Sequence, residues 1–343
     1  MTPTMTTLDI DLERTERCFE LPAWRELLAG DPDRHIFASP RWNKLWWEEF
    51  GDGKDLFLVV MKRGEAVAAV VPLYRRIDGG RKILRFVGGI ELTDYLGPIC
   101  SLEDRADVAD TLVEWLTTTE VEWDEFDAHN MPVPFGFAEF LVERADRKGL
   151  TYKIDQEETA AVLLLPKDWE TYLESLDSKE RRELKRKRRR LGREHPDAVF
   201  RTATAETLDD DLRLFVDMHR GAEGHKGHFM KPEIATFFER VARSFIEADW
   251  LRLDLLEIGG RAVASTFSFQ TDTTFYLYNS AYEPDAARLS PGLVLVSHLV
   301  ERSISDGLTQ FDFLRGPERY KYQLGGQAVP LHNVRLMNPG SAL

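Results

Sequence analysis

The chain has 343 residues, 43% of them hydrophobic and 11% aromatic, and a formal net charge of −14. That length exceeds one ordinary core and fits two α/β domains of roughly 150 residues, while the apolar fraction excludes global disorder. No apolar run approaches the roughly 20 residues a bilayer span needs, and the opening MTPTMTTLDIDLERTER is polar and acidic, so the sequence reads as cytoplasmic.

In chain order, Ser39-Pro40-Arg41-Trp42 is a cap-plus-proline start to a helix carrying Trp42, Trp46 and Trp47, whose spacing fits one buried face. Residues 56–74 (LFLVVMKRGEAVAAVVPLY) are two apolar strands around Lys62-Arg63-Gly64-Glu65, a hairpin signal. Strands are expected at 85–87 and 94–100 (DYLGPIC), a helix at about 104–118, and a strand at 124–128 (DEFDA). Residues 164–245 are mostly helical by pattern, including 169–193 and 206–219. The second half then repeats the order of the first. A hairpin at 251–270 turns at Ile258-Gly259-Gly260-Arg261, and a strand follows at 274–281 (TFYLYNSA). A helix runs from Ser290-Pro291-Gly292 to about Asp306, Gly307 stops it, and a strand returns at 310–314 (QFDFL). Matching DEFDA with QFDFL makes an internal duplication the natural reading.

The run that opens at Lys179 and closes at Arg193 (KERRELKRKRRRLGR) concentrates cations on an otherwise acidic chain. It is either a solvated helix face with Leu173, Leu176, Leu184 and Leu191 as its buried stripe, or a surface for phosphates: coenzyme A, a nucleotide sugar, a polyanionic carrier or tRNA. No aromatics interleave it, so stacking on single-stranded bases is not suggested. Cys18 and Cys100 lack a CxxC partner and read as ordinary thiols, neither disulfide nor zinc ligands. His219, His225 and His228 with Glu223 match no standard zinc spacing, so no metal is expected; His219 instead stands at a helix end as a candidate acceptor-side base.

Residues 278–325 (YNSAYEPDAARLSPGLVLVSHLVERSISDGLTQFDFLRGPERYKYQLG) resemble the C-terminal signature of CelD-like GNAT proteins, which are related to the FemAB aminoacyltransferases. The basic helix, LFVDMHRGAEGHKGHF and LLEIGGRAVASTFSF are similar in order and character to that family, and SPRWNKLWW and TDYLGPI resemble its first domain, so the likeness extends from about residue 35 to 336. The resemblance implies an α/β (α+β) fold of tandem GNAT-like domains, each a mixed, largely antiparallel sheet flanked by helices. Residues 1–160 would be a possibly degenerate N-terminal copy, and residues 161–343 the catalytic domain, with the basic helix at 169–193. It also implies transfer of an acyl or aminoacyl group.

In a GNAT fold the helix after the fourth strand offers its N-terminal N–H groups to a pyrophosphate. Here Arg288, Ser290 and Gly292 stand at that start and are the expected coenzyme A contacts, unless the motif is only a capped helix. Asp312, Arg315, Glu318, Tyr320 and Lys321 follow at a strand end, where α/β folds gather ligands. Asp312 is either a base or a partner that positions Lys321, and Lys321 either stabilises the oxyanion or holds a phosphate. Tyr320, Tyr322, Tyr276 and Tyr278 are proton-donor candidates. The alternative is a structural ion-pair cluster. In the first half, Asp94-Tyr95 is either a substrate-facing pair or a turn cap. Three functional readings stand: a coenzyme-A-dependent N- or O-acyltransferase, an aminoacyltransferase drawing on charged tRNA, and a binding protein without chemistry.

Overall fold

A computed structural model describes residues 8–31, 34–221 and 229–340. The chain divides into two compact units, residues 1–159 with 329–343, and residues 160–328.

Unit 1 begins with β1 (Asp9–Glu13), α1 (Pro22–Gly30) and α2 (Pro40–Phe50). The start of α2 is fixed locally: Ser39 Oγ accepts the Trp42 N–H at 3.2 Å, and Pro40 occupies the first turn, where no N–H is needed. Its three tryptophans are buried, and Trp42 Nε1 donates to Thr93 Oγ1 at 2.9 Å. β2 (Asp55–Arg63) and β3 (Ala66–Asp78) form the expected hairpin, with Gly64 at φ 63° in its turn. Next come β4 (Arg81–Phe86), β5 (Ile99–Cys100), α3 (Arg105–Thr118), β6 (Glu125–Pro132) and α4 (Phe137–Arg147). Only the last two residues of the expected 94–100 strand pair as one. The segment before them is held as a loop by Asn130, whose Nδ2 donates to Ile90 O and Thr93 O and whose carbonyl accepts the Leu96 N–H. β7 (Thr151–Leu164) leads from the first unit into the second.

Unit 2 opens with α5 (Trp169–Ser175) and α6 (Ser178–Glu194), two helices where one was expected at 169–193. Leu173, Leu176, Leu184 and Leu191 are all buried in one core, so the leucine stripe holds across the break. β8 (Val199–Thr202), α7 (Leu208–Arg220) and α8 (Pro232–Glu247) precede the hairpin of β9 (Leu251–Ile258) and β10 (Arg261–Gln270). β11 (Thr274–Tyr282), α9 (Pro291–Ser305), β12 (Gln310–Arg315) and α10 (Arg319–Gln323) complete it. α9 buries Val294, Leu295, Val296, Leu299, Val300 and Ile304 against the sheet and ends before Gly307, at φ 77°. The last strand, β13 (Gln327–Met337), returns to unit 1 and pairs antiparallel with β6.

The strand order in unit 1 is β1-β2-β3-β4-β6-β13, with β5 beside β3, and in unit 2 it is β7-β12-β11-β10-β9-β8. Each sheet is antiparallel except for one central parallel pair, β4/β6 in unit 1 and β11/β12 in unit 2. A hairpin, a third strand, a helix and a parallel strand thus occur twice, as the sequence repeat implied. No helix among the described residues is long and apolar enough to cross a membrane.

Candidate functional site

In unit 2 the parallel strands β11 and β12 pair at only three positions, Thr274↔Gln310, Phe275↔Phe311 and Tyr276↔Asp312. Beyond these they part. β11 runs on beside β10 to Tyr282, and β12 rejoins β7 at Arg315↔Ala160 after a register shift. The cause lies in β12 itself: Leu314 sits at φ 58°, a costly conformation for a branched side chain, and its N–H donates to Asp312 Oδ1 at 2.8 Å. The buried Asp312 carboxylate therefore pins the turn that opens the gap.

Lys321 holds the other side of that turn. It is 3% exposed, and its ammonium donates to Leu314 O at 3.1 Å and to Arg315 O, with the Glu318 carboxylate at 3.0 Å. Three partners use the three ammonium protons, which makes Lys321 a clamp on the β12–α10 turn. Gly316 sits there at φ 121°, a backbone conformation in which a side chain would be strained whatever the space around it. Glu318 is half-buried beside Lys321, and Arg315 is half-buried at the end of β12.

Tyr320 packs from α10 against the unit 2 core, its ring near Phe313, and hydrogen-bonds the Ser280 side chain of β11. Burial, reinforced by the Glu318 charge and only partly offset by Ser280, pushes its phenol above the ordinary tyrosine range, so it stays protonated at neutral pH. The Ser280 N–H in turn donates to Asn279 Oδ1 at 2.9 Å, and the same oxygen accepts from His219 Nε2 at 2.9 Å. His219, at the end of α7, is 2% exposed and packs against Phe215 and Phe229. Two residues singled out by type, His219 and Tyr320, are thereby joined through Asn279 and Ser280, successive residues that face opposite sides of β11. Nothing in the sequence distinguished those two small polar residues from ordinary strand positions.

At the start of α9, Ser290 lies at φ 53°, ψ 49°, and its side chain caps nothing. Because the first intrahelical bond is Val294 N–H to Ser290 O, the Gly292 and Leu293 N–H groups precede the helical ladder. A Cβ on Gly292 would meet Tyr282 at an ordinary 3.5 Å, so the fold itself does not demand glycine there. Arg288 is 62% exposed and pairs with Glu194 at 3.2 Å.

The remaining candidates lie elsewhere. Tyr278 packs with Phe238, Phe267 and Phe269 on the α8 side of β11. Asp94 and Tyr95 are buried in unit 1, the Tyr95 ring edge-on to His35 and Phe37. His225, His228 and Glu223 lie outside the described residues. Among the described residues, no group of three or more His, Cys, Asp or Glu is placed to hold a metal ion.

Unit 1 also carries a buried cluster that the sequence did not single out. Asp127 accepts from Arg85 Nη2 at 2.5 Å and Asn333 Nδ2 at 3.0 Å, and His129 lies between Asp127, at 2.8 Å, and Glu157, at 2.6 Å. Asp127 follows Phe126 as Asp312 follows Phe311, each on the strand after its unit's central helix.

Residues 178–322 match the model of the acetyltransferase (GNAT) domain family. Among solved structures, FemX superposes with a TM-score of 0.65 at 10% identity, covering 95% of this chain and 96% of that one. A conserved protein from Bacteroides thetaiotaomicron VPI-5482 gives 0.59 at 11% identity, covering 96% and 100%. The C-terminal domain (DUF2156) of a lysylphosphatidylglycerol synthetase from Agrobacterium fabrum gives 0.53 at 12%, covering 86% and 87%. At such identities the likeness is one of fold. A sequence search of curated proteins finds no match.

Proposed function

We propose that unit 2 transfers an acyl group from a coenzyme A thioester to an amine or hydroxyl of a small-molecule, sugar or carrier-bound acceptor. The observation that carries this reading is the gap where β11 and β12 part, with the protonated Tyr320 phenol at β11 and the uncapped start of α9 in the same unit. The match of residues 178–322 to the acetyltransferase domain supports it.

Bound coenzyme A would supply the acyl thioester and leave as a thiolate. The edge of β11 beyond Tyr276, left uncovered by β12, offers backbone donors and acceptors to an extended ligand arm. The Gly292 and Leu293 N–H groups and the positive end of α9 suit a phosphate, as does Arg288. Tyr320 is the proton donor for the leaving group, and Ser280 fixes its direction. Buried as it is, His219 acts through Asn279 as a positioning residue. Asp312 and Lys321 shape the turn that opens the gap.

A second reading, aminoacyl transfer from tRNA, is favoured by one observation. Lys179, Arg182, Arg186, Arg189 and Arg193 are exposed at i, i+3, i+7, i+10 and i+14, one cationic stripe along α6.

Calorimetric titration with acetyl-coenzyme A and with bulk tRNA, each at low and moderate salt, separates the two. Saturable coenzyme A binding that survives moderate salt supports the first; tRNA binding without coenzyme A binding replaces it with the second.

A further inference from the structure

In unit 1, β1 ends at Glu13, opposite Leu58, so Arg14 comes level with Phe57 on β2. There the unit holds a cavity of about 370 Å³, lined chiefly by Arg14, Glu16, Trp47, Lys54, Asp55 and Arg75. That volume suits a small molecule, since such sites run from about 300 to 1,000 Å³. Its charges are unevenly matched. Arg75 donates Nε and Nη2 to Asp55 at 3.0 and 2.8 Å and Nη1 to the Glu122 carbonyl at 2.9 Å, so its fork is already engaged. Glu16 accepts the Trp47 Nε1–H at 3.2 Å, which ties the segment after β1 to α2.

Arg14 and Lys54 have no carboxylate partner among the described residues. The Arg14 guanidinium stands 5.2 Å from the centre of the Phe57 ring, which Arg75 also approaches at 5.7 Å. The Lys54 ammonium donates to two carbonyls, those of Phe50 and Asp52. Burial, then the Arg76 charge, lowers it below the ordinary lysine range, and Asp52 offsets only part of this. An ammonium so placed gains from an anion beside it. Glu16 Oε2 and Asp55 Oδ1 carry no hydrogen bond, so the same cavity also offers acceptors.

We propose that this cavity binds a small hydroxylated oxyanion, a sugar phosphate or a hydroxycarboxylic acid, its charged head held by Arg14 and Lys54 and its hydroxyls by Glu16 and Asp55. Arginine's fork takes either head group in a bidentate manner, and the two carboxylates reject a ligand that brings charge without donors. The site belongs to unit 1 alone and does not depend on the acyl-transfer reading of unit 2.

The test is titration calorimetry on the full chain at fixed ionic strength, with glycerol 3-phosphate and malate as the two head groups and glycerol as the uncharged comparator. The native protein is expected to bind at least one of the anions with a Kd of about 1 mM or tighter, and glycerol not measurably. Which anion binds names the head group. Arg14→Ala removes an exposed side chain and should weaken that ligand about tenfold with an unaltered thermal melt, and Lys54→Met should weaken it to a similar extent. Binding of neither anion overturns the site. So does an affinity unchanged by Arg14→Ala, which would place the anion elsewhere, and in both cases the acyl-transfer reading stands.

Discussion

Tyr320 hydrogen-bonds Ser280 just past the point where β11 and β12 stop pairing, so the proton donor assigned here is held by the strand whose edge is open. Tyr320→Phe removes the hydroxyl and little else, because the ring keeps its contact with Phe313. Turnover with acetyl-coenzyme A and a competent acceptor should fall by about 10²-fold, while acetyl-coenzyme A binding and the melting temperature change little. A variant with native turnover would remove Tyr320 from the chemistry.

His219 is argued to act through Asn279, and that makes a different pattern. Its Nε2 donates to the oxygen that also takes the Ser280 N–H, so losing the ring loosens Asn279 and with it the register of Tyr320. Asn279→Ala and His219→Ala should lower kcat to similar extents, about tenfold, and the double variant should fall no further than either alone. Multiplicative losses would mean that the two side chains work independently.

Much of the frame was legible because it is written locally. Ser39-Pro40 starts α2, Gly64 turns the first hairpin and Gly307 ends α9, each through its own backbone chemistry. The 94–98 segment misled because its apolar residues look strand-like, whereas its conformation is set by Asn130, more than thirty residues away. β13 could not be placed by pattern either, since Leu331 pairs with Pro132, some 200 residues earlier. The site shows the same division. Tyr320, Lys321 and Asp312 stand out by type and clustering, but Lys321 and Asp312 prove to hold the Leu314 turn, a role that requires knowing Leu314 is left-handed.

That role carries its own prediction. Lys321→Ala strips the Leu314 and Arg315 carbonyls of their donor and leaves the half-buried Glu318 without its partner. The loss should be about 3 kcal/mol, read as a lower urea midpoint for unit 2. Gly316→Ala should destabilise the same turn by about 1–2 kcal/mol through its φ of 121°. If Lys321→Ala melts like the native protein yet abolishes turnover, the lysine is catalytic and the clamp assignment fails.

The two thiols should be inert while the chain is folded. Cys18 and Cys100 are buried, and burial pushes each thiol up to about 12, so almost no thiolate exists at neutral pH. A thiol reagent at pH 7.5 is expected to label neither residue in the native protein and both in urea. Rapid native labelling of either would contradict its burial.

Unit 1 holds two histidines whose titrations act on stability in opposite directions. His35 is half-buried, packed against Phe37, Tyr95 and Phe135, and desolvation, aided by the Arg105 charge, lowers it to about 3. Its folded value is below its unfolded one of about 6.5, so the unfolded chain binds the extra proton between those values. Stability is therefore lost as pH falls below about 6.5, at up to roughly 1.4 kcal/mol per unit. For His129, burial opposes the charged ring, but the hydrogen bonds and charges of Asp127 and Glu157 outweigh it and raise its value. Its contribution is full below about 6.5 and fades as pH rises through the folded value. Six of the eight tryptophans lie in unit 1, so fluorescence-detected urea unfolding between pH 4 and 9 reports chiefly on that unit. His35→Phe should flatten the acid limb of the midpoint profile and leave the alkaline limb alone, and His129→Gln should flatten the alkaline limb only. An acid limb unchanged by His35→Phe would remove His35 as its source, and the Asp127 carboxylate does not take its place, because it acts only below its unfolded value of about 3.9. Burial opposes ionisation there, but His129, Asn333 and Arg85 hold the carboxyl well below its usual range.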